Sequence, residues 1–183
     1  MNKVRVKFKL ISEVVGNEDI GLLILVDEAE LHQIVIPCDK NEVLQLNMRV
    51  QKKKDLSTHL PEVLVQLVKS LTFVQFEVCI IDCIDGHYTA LLTNTSTLEQ
   101  FKIDAFDAIL LAYIAKLPIY IETNLMRRQC SYFDPKSSKM SLPINVLSLK
   151  MVQKALNEAV IKEDYELASR LRDEINRRKK DKD

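Results

Sequence analysis

A chain of 183 residues, 47% hydrophobic and 28% charged, holds material for one core of ordinary size plus an appendage, which excludes a largely disordered protein. Its 26 basic and 26 acidic side chains cancel, so the strongly basic domain that marks many nucleic-acid binders is absent. No apolar run reaches the roughly eighteen residues of a membrane span, and the opening MNKVRVKFKL lacks the continuous apolar stretch of a signal peptide; a cytoplasmic protein with no membrane partner is expected.

In chain order, Val4, Val6, Phe8 and Leu10 alternate with Arg5, Lys7 and Lys9, the period of a half-buried strand. Gly16-Asn17 reads as a turn. Gly21 to Val26 is a short apolar run that suits a buried strand, and Leu31 to Ile36 is a third strand candidate ended by Pro37. Asp39 and Glu42 have the spacing of a capping box, and Val43, Leu46 and Val50 follow at helical spacing. Lys52, Lys53 and Lys54 read as a solvated connection. A second helix begins near Pro61, a residue suited to the first helical position, with Leu64, Leu67, Val68 and Leu71 as its apolar stripe. Phe76 to Ile84 and His87 to Leu92 are strands around Asp85-Gly86, a dipeptide that favours a type I′ hairpin turn. Leu98 to Ile103 reads as a strand, Asp104 to about Ala115 as a helix, and Pro118 to Glu122 as a short strand with its proline at the edge.

Pro135, Ser137, Ser138 and Pro143 mark a linker over residues 129–146. Beyond it, Leu149, Val152, Leu156 and Val160 share one helix face. After the polar break Lys162-Glu163-Asp164, Tyr165, Ala168, Leu171 and Ile175 share another, so an antiparallel helical hairpin is expected. Its apolar stripe is small for independent stability, and docking on a partner, a second copy or the main domain is expected. The chain thus divides into a domain over 1–128, a linker over 129–146 and a hairpin over 147–183. Cys38, Cys79, Cys83 and Cys130 fit neither zinc-ribbon nor redox spacing and read as free buried thiols. Cys79 and Cys83, four apart on a strand, are expected on one side of it.

The tail segment EDYELASRLRDEINRRKK resembles the UVR motif, named from subunits of bacterial nucleotide excision repair, at Tyr165, Glu166, Ala168, Leu171, Arg172, Asp173 and Ile175. The resemblance implies a hairpin that pairs with other proteins and does no chemistry itself. Four blocks of the preceding domain resemble the bifunctional nuclease family: IVIPCDKNEVLQL, STHLPEVLVQLVKSL, CIIDCIDGHYTALL and IDAFDAILLAYIAKLPIYIE. This implies an α+β fold; with the elements above, we expect a mixed, largely antiparallel sheet with packed helices, followed by a C-terminal α-helical hairpin. It also implies a nuclease activity, a DNA or RNA substrate and a homo-oligomer. The chain departs from the family pattern at Lys40, Leu60 and Phe106.

Phosphodiester hydrolysis needs an activated water and neutralisation of developing negative charge, commonly through carboxylates that hold divalent ions and a histidine base. The candidates are Glu42, His59, Asp82, Asp104 and Asp107, with Glu42, Asp104 and Asp107 as ligands of Mg2+ or Mn2+ and no organic cofactor. Each acid also has a structural role open to it: Asp104 as an N-cap, Asp107 at the positive end of a helix, Glu42 in the capping box. His32 and His87 read as exposed or solvated residues, and Asp82 as a strand residue facing solvent, with a ligand role as the alternative. With only three glycines, the chain has no phosphate-binding glycine loop, and no G-x-S-x-G or H-E-x-x-H motif occurs. The expected function is a metal-dependent nuclease with a protein-binding hairpin over 147–183; the alternative is a non-catalytic interaction protein.

Overall fold

The computed structural model describes residues 2–14, 17–52, 55–68, 75–134, 147 and 149–180. The alternation at the start forms β1 (Lys3–Val14), followed by β2 (Asn17–Asp27) and β3 (His32–Asp39). Helices α1 (Lys40–Val50) and α2 (Leu60–Leu67) come next, then β4 (Phe76–Ile84), β5 (His87–Asn94) and β6 (Gln100–Asp104). Helix α3 (Ala105–Ala115), β7 (Ile119–Glu122), α4 (Thr123–Gln129) and β8 (Ser131–Tyr132) complete the domain; α5 (Leu149–Ile161) and α6 (Tyr165–Lys180) form the tail hairpin. The fold is α+β. Eight strands make one sheet in the order β6-β5-β4-β7-β1-β2-β3-β8. All neighbours are antiparallel except β4 and β7, which are joined through β5, β6 and α3.

The apolar run in β2 serves two cores. Leu23 and Leu25 face the main core, shared with Val43 and Leu46 of α1, Ile109 of α3 and Leu125 of α4. Ile20 and Leu22 face the other side, where they pack with Val152 of α5 and Leu171 and Ile175 of α6. A strand buried on both faces needs a continuous run rather than alternation. The tail hairpin therefore docks on the main domain, one of the three options open in the sequence. Gly21 lies between these residues, and a Cβ there would meet Val43 Cγ2 at 2.0 Å. The missing side chain is what lets α1 lie close against β2.

Turn chemistry behaves as expected where it is described. Asp85 and Gly86 both have positive φ, 51° and 77°, as the β4–β5 hairpin requires. The expected turn at Gly16-Asn17, Lys53-Lys54 and Leu71 involve residues outside those described.

Several local expectations are corrected. Pro37 does not end the third strand; it pairs with Leu22 inside β3, which continues to Asp39. Val50 is 40% exposed, and Arg49 is the buried residue in the last turn of α1. Its guanidinium makes two 2.8 Å bonds to the Glu62 carboxylate and donates to Gln45 O, which satisfies a charge that burial would otherwise make costly. On α2, Leu64 and Leu67 face outward and Val65 packs on the core, while Val68, just past the helix, packs there as expected. In the tail, Ala168, Leu171 and Ile175 are buried as expected, but Tyr165 and Val160 are exposed, and Ala159 is buried beside Val160. Cys79 and Cys83 do not share a side: a register shift between Ile80 and Asp82 turns Cys83 with Tyr88 onto the main core, whereas Cys79 lies outside it. All four thiols are free, with Cys38 and Cys79 buried. Helix α4 and strand β8 had no sequence reading; α4 has 7 residues, too few for a periodic signal, and is started by the Glu122 carboxylate accepting Leu125 N–H at 2.8 Å. Strand β8, inside the stretch read as linker, pairs with His32 and Gln33 of β3.

Candidate active site

In a flat sheet, β3 and β6 would stand about 29 Å apart, from six spacings of about 4.8 Å. Yet Asp39 at the end of β3 and Asp104 at the end of β6 border the same hollow, so the sheet curls to bring the two strand ends together. Each strand end is also the start of a helix. The chain thereby delivers two acid-rich helix starts, those of α1 and α3, to one place.

Two adjoining hollows result. The first, of about 360 Å³, is lined by Asp39, Glu42 and Asp104, by His87 and Tyr88 of β5, and by Lys40, Lys150 and Lys154. The second, of about 390 Å³, takes His59, Leu60 and Pro61 at the start of α2 together with Asp107 and Leu110 of α3. Asp39, Asn41, Glu42 and Phe106 line both and form the ridge between them. Either volume is within the range of small-ligand sites. Four of the five candidate residues thus come together: Glu42 on the ridge, Asp104 in the first hollow, His59 and Asp107 in the second. Asp82 is not among them; its Oδ1 accepts the N–H of Cys83 at 2.8 Å. His32 lies elsewhere, with Nδ1 2.9 Å from Asp27 Oδ2.

Three of the acids also serve their own helices. Asp39 Oδ1 accepts from Asn41 N–H at 2.8 Å and Glu42 N–H at 3.0 Å, and Glu42 Oε2 accepts from Asp39 N–H. This is the reciprocal capping box that the spacing predicts. Asp104 Oδ1 accepts from Phe106 N–H at 2.8 Å. Asp107 makes no such bond among the described residues, and its side chain is open to the hollow.

The mutual proximity of the acids shows in their proton affinities. Burial pushes the Glu42 carboxyl up to about 7, and the charges of Asp39, Asp104 and Asp107 add to the effect, against the Asp39 N–H that lowers it. Asp107 is raised by partial burial and then by Asp104. Beneath them, burial and then Glu42 hold the Cys38 thiol well above its usual range, so it is no nucleophile.

Carboxylate oxygens are the kind of donor that magnesium and manganese take. Among the described residues, however, no group of three or more His, Cys, Asp or Glu side chains is arranged to hold a metal ion. Glu42 and Asp104 spend oxygens on backbone N–H groups instead. As placed, the acids do not make a ready metal centre.

Sequence reasoning missed Lys150 and Lys154, which reach the first hollow from the hairpin. Their i, i+4 spacing puts them on one helix face, but only docking shows what that face meets. Lys40, Leu60 and Phe106, read from the sequence as departures from the resemblance, all line the hollows.

A family model described as the bifunctional nuclease domain matches residues 23–133, and the chain belongs to that family. A second model, the UvrB/uvrC motif, matches residues 148–181, which cover α5 and α6. No curated protein matches the chain. Among the described residues, no helix is long and apolar enough to cross a membrane.

Proposed function

We propose that this chain is a hydrolase of nucleic-acid phosphodiesters that works at the ridge between the two hollows. One observation carries the reading: the curled sheet brings Glu42, His59, Asp104 and Asp107 to adjoining hollows within the matched family domain. In this reading His59, half-buried at the start of α2, takes the proton of the attacking water. Asp107 orients that water. Lys40, Lys150 and Lys154 offset the negative charge of the phosphate against the acidic floor.

The test is cleavage of single- and double-stranded DNA and RNA, with magnesium, manganese and chelator as separate arms, by wild type and by Asp104→Ala/Asp107→Ala. Cleavage that falls by a factor of about 10² or more in a still-folded variant is the expected result. Equal cleavage by both proteins would place the chemistry elsewhere.

A second reading, a non-catalytic binding module, is favoured by the carboxylates of Asp39, Glu42 and Asp104 turning back onto their own helix starts. Absence of cleavage in every arm, with pull-downs that change when residues 147–183 are removed, would decide for it.

A further inference from the structure

The hairpin is more than a neighbour of the candidate site. Helix α5 is fixed to the outer face of β2 and β3 by Val152, fully buried, with Leu149, Met151 and Ala155 against Ile20, Leu22 and Val35. Arg178 of α6, itself buried, donates to Leu147 O at 2.5 Å and to Glu174 at 2.7 Å, which ties the far end of the hairpin back to its beginning. This anchoring places Lys150 and Lys154 at the rim of the first hollow, one helical turn apart and facing Asp39, Glu42 and Asp104 across it. Lys150 makes no ion pair with any described residue. A hollow floored by acids repels a phosphodiester unless cations stand at its edge. Of the three lysines that line it, two come from the hairpin and only Lys40 from the domain.

We propose that the docked hairpin supplies the phosphate-binding edge of the cleft, with Lys150 and Lys154 contacting the backbone of a bound nucleic acid. This rests on the reading that the cleft takes a nucleic acid. It follows that any protein drawing the hairpin off the sheet withdraws two of the three cations and releases the nucleic acid. Hairpin docking and cleft affinity are then linked reciprocally.

The experiment is fluorescence anisotropy with labelled single-stranded DNA and RNA oligonucleotides, on the full chain, in chelator, over a series of salt concentrations. The proteins are wild type, Lys150→Gln/Lys154→Gln, Lys150→Arg/Lys154→Arg, and Lys7→Gln/Lys102→Gln as a charge-matched control away from the cleft. The glutamine pair at the hairpin is expected to weaken binding about tenfold and to reduce the salt slope by about 1.4, the value for two single-strand phosphates. The arginine pair and the control should bind as wild type does. If wild type binds and the hairpin glutamine pair binds equally with an unchanged slope, the inference is overturned while the nucleic-acid reading stands. If the hairpin and control pairs weaken binding alike, the effect is one of net charge, and the inference is again overturned. If wild type binds neither oligonucleotide at low salt, both fall together.

Discussion

Glu42 illustrates how one side chain serves the helix and the cleft at once. Its carboxylate completes the capping box of α1, and its partial burial beside Asp39, Asp104 and Asp107 raises its proton affinity. The ordinary value is 4.5 and the folded value about 7. Between these limits the folded chain keeps a proton that the unfolded chain releases, so Glu42 makes stability fall as pH rises through that window. Glu42→Gln keeps an acceptor for Asp39 N–H but has no proton to lose. Relative to wild type, the variant should gain stability as pH increases from about 4.5 to about 8, measured by denaturant unfolding. A constant difference across that range would mean that Glu42 has its ordinary proton affinity in the fold. The capping role was legible in the D-x-x-E spacing. The raised affinity was not, because it depends first on burial in the folded chain and only then on neighbouring acids, two of them brought from β6 and α3.

Helices α1 and α2 are both read correctly as elements, and Val43 and Leu46 of α1 are buried as expected, but α2 is oriented correctly only in part. Pro61 and the capping box place their starts well. The apolar spacing on α2 assigned Leu64, Leu67 and Val68 to the core; Val68 packs there, but Leu64 and Leu67 are exposed and Val65 packs there instead. With 8 residues, α2 has little more than two turns, and several apolar stripes fit it equally. The orientation is held by Val65 and Val68 on the core and by the Arg49–Glu62 bond, whose partners are largely buried. Glu62→Ala would leave the guanidinium without its bidentate partner. We expect a loss of about 3–5 kcal/mol in equilibrium unfolding, the range for breaking a buried pair from one side. A loss under about 1 kcal/mol would show that water replaces the carboxylate and that the bond counts as a surface pair.

Across the whole molecule, the sheet has a core on each side, and the smaller one exists only because the hairpin docks. Leu171, 2% exposed, is a central residue of that second core. Leu171→Ala should cost about 2–5 kcal/mol locally. By hydrogen exchange, the amides of α5 and α6 should open more readily while β1, β2 and β7 keep their protection. Equal loss everywhere would show that hairpin and domain unfold as one unit. The same arrangement explains why the hairpin stripe looked too small in sequence: Ile20 and Leu22 supply the rest of its core from more than a hundred positions away.

What the sequence determined by itself was local. Strand alternation, the I′ turn at Asp85-Gly86, the caps at Asp39 and Asp104, and the helical break at Lys162 to Asp164 each depend on residues within a few positions, so spacing alone carries them. The candidate residues were named on the same basis, from motif blocks. The meeting of four of them depends on packing between distant segments. The curl of an eight-stranded sheet brings the ends of β3 and β6 together, and hairpin docking adds Lys150 and Lys154 to the same hollow. Neither event leaves a mark in any short window of sequence, because each is set by packing between segments far apart in the chain.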